Sequence, residues 1–324
     1  MSKASGVPAY TLHQLAAFVA VADTGSIAAA ANRLQLSPSA VRASLGDLER
    51  VLGAHLAVRQ RAKGVELTSA GKAVLATARI VLAQALDLES DIRGEPGQVT
   101  GVLTIGCYST LGPTVLPPLL EVFRRRHPAV RIELREDTLD ALRGAIDARD
   151  VDVAMAYDID LPRHWDRVVW HRSAPRVHLP ADHPQVQMHQ LDSDRDPAEP
   201  VGTVRLHDLA DEPMVLLDIP PSREHVLDVC RSAGLDPRIA LRTGNYETAR
   251  AFVGRGLGWA LMVQRTPTGI TYEGRQVVTM DVVDPPPPTV SIVAVWPREA
   301  RLSRAAQAFV HLVSATADPR NAAP

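Results

Sequence analysis

The residues best suited to holding a polyanion cluster around positions 37 to 63. Ser37 precedes Pro38, a helix cap followed by a proline at the first helical position, where its missing N–H costs nothing. At about 100° per residue, Ser39, Arg42, Ala43, Gly46 and Arg50 fall on one face of that helix, and Val41, Leu45, Leu48 and Leu52 form an apolar stripe on the other. The first face carries short side chains, two arginines and no carboxylate. It suits close entry into a major groove, with backbone N–H groups at the helix start offered to phosphate. Arg59, Arg61 and Lys63 follow in a short segment that reads as a two-stranded wing, a source of cations for the sugar-phosphate backbone or the minor groove. A second group of candidates suits a small molecule. Tyr108, Ser109 and Thr110, Tyr157 and Asp158, Ser222 and Arg223, and Asn245, Tyr246, Glu247 and Thr248 all fall where strands end. Helix-start N–H groups and the hydroxyls of Ser109, Thr110, Ser222 and Thr248 suit a carboxylate, whereas Asp158 and Glu247 suit an ammonium. The expected ligand is an organic acid or an amino-acid-like molecule. Ser109 or Thr110, Ser222 and Asn245 would serve equally well as helix caps.

Other chemistries have no support. G-x-S-x-G, a Walker loop and G-x-G-x-x-G are missing, and Gly254-Arg-Gly-Leu-Gly258 precedes a strand and reads as a helix stop. His164, His171, His178, His183 and His189 lack ligand spacing, and neither H-x-x-E-H nor C-x-x-C occurs, so no metal, cofactor or catalytic centre is expected. The two cysteines, Cys107 and Cys230, suggest a reducing compartment, and Cys107 at a strand end reads as a core thiol rather than a redox sensor.

The positioning elements are legible in order. Leu12, Leu15, Ala16, Val19 and Ala22 mark a first amphipathic helix ending near Thr24-Gly25. Ser26 caps a short Ala-rich helix to Leu34, and a turn at Gln35-Leu36 leads into the Ser37-capped helix, which completes a helix-turn-helix. Over 69–93, Val74, Ala78, Val81, Ala85, Leu88 and Ile92 alternate steps of four and three, with Leu75, Leu82 and Leu86 broadening the stripe. This is a coiled-coil seam, which needs a partner, and a homodimer through 74–92 is expected. From Gly101 a strand–helix rhythm sets in. Strands are expected over 102–107, 130–134, 151–157 and 168–171, with helices over 112–126 and 138–149. Strands over 214–219, 238–243 and 258–263 then alternate with helices over 222–233 and 246–255. Residues 185–204 read as a mobile surface loop, residues 277–283 as a segment crossing back to the first subdomain, and prolines 285–288 as a stiff connector to a last strand and helix.

Ser26-Ile27, Ala30-Ala31, Leu34, Ser37-x-Ser39-Ala40-Val41, Leu48-Glu49, Leu52-Gly53, Leu56-x-x-Arg59 and Leu67-Thr68-x-Ala70-Gly71 together resemble the winged helix-turn-helix of LysR-type transcriptional regulators. The resemblance continues through most of the chain. It implies an α/β protein with three parts: a DNA-binding head over 10–68, a linker and dimerisation helix over 69–94, and an effector domain over 95–324. In the effector domain, residues 101–172 with 284–316 would form one subdomain and 173–276 the other, as in type 2 periplasmic-binding-protein folds. The implied partners are double-stranded promoter DNA, a small effector and a second copy of the chain, with pairing of dimers and contact with RNA polymerase as further family expectations. Three positions depart from the pattern. Ala57 stands where the family usually has Phe, Arg42 where it usually has Ser, and Ala43 where it often has Arg. One guanidinium is therefore kept but moved by one residue.

Composition agrees with this division. Residues 1–72 hold eight Lys and Arg against four acids, and the rest hold 27 against 33, a basic head on an acidic body. No stretch approaches the length of a membrane span, and the first residues lack a signal-peptide apolar region, so a cytoplasmic protein is expected. Two rival readings are a structural DNA-binding protein without an effector, and a solute-binding or enzymatic domain joined to a DNA-binding head.

Overall fold

The computed structural model describes residues 7–60, 64–93, 98–189, 196, 199–264 and 266–317, and backbone alone for residues 59, 60, 83, 86, 87 and 89–93. The head begins with α1 (Leu12–Thr24), started by a capping box in which Thr11 and Gln14 bond each other's backbone N–H. Ser26 caps α2 (Ile27–Leu34), and Gln35 closes it in the left-handed region at φ 56°. Ser37 caps α3 (Pro38–Leu52), and Gly53 ends it. The wing is the antiparallel pair β1 (Ala57–Gln60) and β2 (Gly64–Leu67), and α4 (Ser69–Arg93) leaves it.

Leu15, Phe18, Val21, Ala30, Ala31, Val41, Leu45, Leu48 and Leu56 form the head's core. Two apolar stripes differ from expectation. In α1 the buried face is Leu15, Ala17, Phe18, Ala20 and Val21, while Leu12 is 47% exposed. The helix is embraced by α2, α3 and α4 at once, so its buried face is broader than one stripe and centred on Phe18. In α3, Leu52 is exposed, because the stripe runs past the edge of the core as the helix ends.

The seam of α4 also divides. Leu75 and Ala78 are buried in the head's own core, with Val74, Val81 and Leu82 packed beside them. The first turns of this helix therefore have a core within their own chain, contrary to the expectation that the whole seam needs a partner. Leu88 stays 64% exposed, and the side chain of Ile92 lies outside the described residues. Gly71 makes the start of α4 possible. A Cβ there would stand 2.0 Å from the Leu56 carbonyl oxygen, so only glycine lets the helix cross the wing at this distance. Thr68 Oγ1 locks the same corner, accepting from Gly71 N–H and donating to the His55 carbonyl.

The effector domain has two α/β subdomains. In the first are β3 (Gly101–Tyr108), α5 (Gly112–Arg126), β4 (Val130–Asp137), α6 (Leu139–Asp147), β5 (Val153–Tyr157) and β6 (Trp165–Ser173). The second holds β7 (Arg176–Pro180), α7 (Pro184–Gln187), β8 (Thr203–Arg205), β9 (Met214–Leu217), α8 (Ser222–Ser232), β10 (Ile239–Thr243), α9 (Tyr246–Gly254), β11 (Ala260–Met262) and β12 (Val277–Val283). The chain then returns through β13 (Val290–Pro297) and α10 (Arg304–Ala315). The first sheet has the order β4-β3-β5-β13-β6, parallel across β4, β3 and β5 and antiparallel at β13. The second has the order β11-β7-β12-β8, with β9 and β10 paired in parallel beside it.

Two boundaries move. Residues 277–283 are not a crossing segment. They form β12, antiparallel to β7 and parallel to β8 inside the second sheet, and the return to the first subdomain comes after them. The expected loop over 185–204 is structured at both described ends, because Val186 and Val204 are buried in the second subdomain's core. Its middle lies largely outside the described residues. One apolar cluster joins the two subdomains at their base, from Leu103, Tyr157 and Ile292 on one side to Val215, Met262 and Val277 on the other.

Candidate nucleic-acid interface and ligand cleft

On α3, Ser37, Ser39, Arg42, Ala43, Gly46 and Arg50 are all exposed, as the helical spacing predicts. Ser37 Oγ accepts from Ala40 N–H and lies 2.9 Å from Ser39 Oγ, so the N-terminal turn presents hydroxyls beside its free N–H groups. The two arginines differ. Arg50 is ion-paired to Asp47, so the face does include a carboxylate, whereas no ion pair holds Arg42 among the described residues. Glu49, a family-pattern residue without a role in the sequence reading, fixes the wing to the helix. Its Oε1 accepts from the N–H groups of Leu56 at 2.7 Å and Ala57 at 3.2 Å. Arg59 has its backbone in β1, but its side chain lies outside the described residues, as do Arg61 and Lys63 entirely.

The strand ends expected to hold a ligand are brought to one cleft, although not all their side chains face it. Ser109, Thr110, Asn245, Tyr246, Glu247 and Thr248 line a cavity of about 750 Å³ between the subdomains. Tyr157 lines an adjoining cavity of about 520 Å³. Tyr108 instead spans the cleft. Its hydroxyl lies 3.1 Å from the Pro220 carbonyl and 3.2 Å from Ser222 Oγ, and its ring meets Tyr157 edge-on at 5.7 Å. Burial pushes the Tyr108, Tyr157 and Tyr246 phenols above their ordinary range, so all three act as neutral donors.

Four expectations are corrected. Asp158 is taken by Arg167 of β6, and Glu247 by Arg250 at 2.7 Å and by Tyr272 N–H at 2.7 Å, so neither carboxylate is free for an ammonium. Arg223 is held by Asp218 and Glu224 and lines neither cavity. Of the caps expected at the cleft, only Asn245 serves among the described residues, accepting from Thr248 N–H at 2.9 Å. Ser222 sits one residue inside its helix, and α5 is preceded by Leu111 with no side-chain cap. Thr110 is thus released from capping. It is 5% exposed, and among the described residues its Oγ1 has only the Tyr157 hydroxyl beside it. Gln264, unnoticed in the sequence, is 7% exposed with its Oε1 unpartnered among the described residues, and it lines both cavities. It follows β11, so the strand-end rule applied to that strand would have found it.

Both thiols are buried, and burial pushes Cys107 up, with Glu136 adding to it, and Cys230 up to about 11. Neither has the thiolate character of a reactive cysteine. No metal-binding cluster occurs among the described residues, and no described helix is long and apolar enough to cross a membrane.

A capped reading helix, a wing, a linker helix and a two-subdomain α/β cleft define a ligand-linked DNA-binding protein class. Residues 12–72 match the bacterial regulatory helix-turn-helix of the lysR family, and residues 96–318 match the LysR substrate binding domain. The chain belongs to the LysR family of transcriptional regulators, which are not enzymes. It is similar to the C-terminal domain of a probable LysR family regulator from Rhodococcus sp. RHA1, at 47% identity over 67% of this chain and 100% of that one, with a TM-score of 0.61. A putative LysR family regulator from Pseudomonas aeruginosa is 30% identical over 95% of this chain and 99% of its own, with a TM-score of 0.60. A probable hydrogen peroxide-inducible genes activator from Mycobacterium leprae is 30% identical over 264 residues, 78% of each chain.

Proposed function

We propose that this regulator works in the cytosol as a dimer whose two heads bind a roughly palindromic promoter site, and that a small metabolite in the interdomain cleft alters that binding. The observation that carries the DNA half is the exposed Ser37–Ser39–Arg42–Ala43 face, on which Arg42 is in no ion pair among the described residues. Arg42 reads base edges, while Ser37 and Ser39 hold phosphate at the helix start. Arg59, Arg61 and Lys63 add backbone contacts that do not depend on sequence. On the ligand side, closing the cleft shifts one subdomain against the other, and the heads follow through α4.

Of the two expected effector classes, the amino-acid-like one loses its support, because Asp158 and Glu247 are already ion-paired. A small acid keeps the N–H groups at the start of α9. A peroxide sensor, suggested by the name of the Mycobacterium leprae relative, finds no support in two buried thiols with raised pKa values. Dimerisation uses the part of α4 that the head leaves uncovered, around Ala85 and Leu88. Gel-shift titrations on operator and random duplexes test the first claim. Arg42→Ala is expected to lose about 1–3 kcal/mol on the operator and far less on random DNA. Equal losses on both would remove its base-reading role. Lys63→Ala is expected to weaken both alike and flatten the salt slope. Sedimentation of Leu88→Glu is expected to show protomers where the parent chain is a dimer.

A further inference from the structure

Resting on the small-molecule reading above, the chemistry of the cleft narrows its occupant. The 520 Å³ cavity is walled by Leu111, Val115, Pro117, Trp170, Val263 and Ile292, a mainly apolar lining large enough for a single ring. It opens into the larger cleft cavity, with Thr114, Gln264 and Thr266 bordering both. At this boundary the polar groups are few, and two of them are unfinished. Thr110 and Gln264 are more than nine-tenths buried; Gln264 Oε1 has no hydrogen-bond partner among the described residues, a cost that proteins ordinarily avoid, and Thr110 Oγ1 has only the Tyr157 hydroxyl beside it. Thr110 does not cap α5, and the backbone carbonyl of Gln264, not its side chain, receives the Tyr246 hydroxyl.

The charges around the cleft are spent on one another. Arg250 is buried and bonds Glu247 and the carbonyls of Thr268 and Ile270, and Arg255 pairs with Glu273. No described side chain at the cleft offers an unpaired cation, so a buried carboxylate would lack a counter-charge. Thr110 can donate or accept, whereas Gln264 Oε1 only accepts. Together they suit a head group that both accepts and donates while carrying no charge.

We propose that the effector is a compact amphipathic molecule with an aromatic or branched-aliphatic body in the apolar cavity and one uncharged hydroxyl or amide head on Thr110 and Gln264. This replaces the fully polar acid as the preferred occupant of the same cleft.

The test is a thermal-shift and calorimetric titration of the full chain with p-cresol and benzyl alcohol, against benzoate, succinate and glutamate. The neutral rings are expected to raise the melting temperature by several degrees and to bind at least tenfold more tightly than benzoate or either polar acid. Thr110→Val, nearly the same shape, and Gln264→Leu are each expected to weaken p-cresol about tenfold. The melting temperature of each variant without ligand separates lost recognition from lost folding. Benzoate binding as tightly as p-cresol, or an unchanged p-cresol affinity in both variants, overturns the assignment. A response to succinate or glutamate alone overturns it too but leaves the metabolite-responsive regulator standing. Silence from every probe removes this ligand class while leaving the family membership untouched.

Discussion

His178 shows how strongly a single side chain can be bent by its surroundings. It sits in β7, 2% exposed, between Ala260 of β11 and Thr279 of β12, with the Tyr246 ring 6.4 Å away edge-on. Neither ring nitrogen has a hydrogen-bond partner. Burial, reinforced by Arg250 and Arg176, pulls its pKa down from 6.5 to about 3. The native imidazole is neutral, so protons favour the unfolded chain once the pH drops below 6.5. The stability associated with this group is complete above pH 6.5 and drains away towards pH 3, at up to about 1.4 kcal/mol per pH unit. Melting curves between pH 7 and pH 5 are expected to fall less steeply for His178→Leu than for the parent chain. Parallel curves would show that this imidazole is not held neutral. The same attention to neighbours explains which site residues the sequence revealed. Ser37, Asn245 and the exposed arginine face were legible because caps and helical faces are local. Glu247 and Arg250 lie three apart on one helix, a pairing that was passed over when Glu247 was assigned to an ammonium. The engagement of Asp158 by Arg167 was not, because β6 reaches it only after the chain has turned back.

At the scale of elements, the corner between β1, β2 and α4 decides how the wing is presented. Gly71, Thr68 and Glu49 converge there on the backbone between His55 and Ala57. Gly71→Ala is expected to cost about 1–3 kcal/mol by forcing the helix from the Leu56 carbonyl, and to weaken binding to all duplexes, as a displaced wing should. Chemical denaturation and gel shifts on random DNA measure both effects, and a stability equal to that of the parent would show that the corner yields. The motif Leu67-Thr68-x-Ala70-Gly71 was visible in the sequence, but its cause was not, since it depends on a carbonyl fifteen residues earlier. Residues 277–283 were likewise read as crossing between the subdomains, whereas they form β12 inside the second sheet. Period-two alternation gives a strand two faces, but it says nothing of which neighbours lie along its edges.

At the scale of the whole molecule, one guanidinium bridges the head and the effector domain. Arg79 of α4 pairs with Asp23 of the head and with Asp150 of the effector domain, and donates to the Ala148 carbonyl at 3.1 Å. Asp23 in turn holds Arg33 of α2 at 2.7 Å. The first two helices of the head, the linker helix and the segment after α6 are therefore tied through four charged side chains. Arg79→Ala is expected to cost about 1–3 kcal/mol, because it takes from Asp150 its ion-pair partner and leaves Asp23 with Arg33 alone, and to speed amide exchange along residues 69–82. Unchanged exchange there would mean that the head is held by packing alone. This knot bears on how any salt titration of the protein is read. Added ions reduce the gain from releasing counterions when a duplex is bound, but they also loosen the strut that sets the bearing of each head, so the steepness of the curve is not a bare tally of phosphates. Asp23→Asn, which leaves the reading face intact, separates the two contributions.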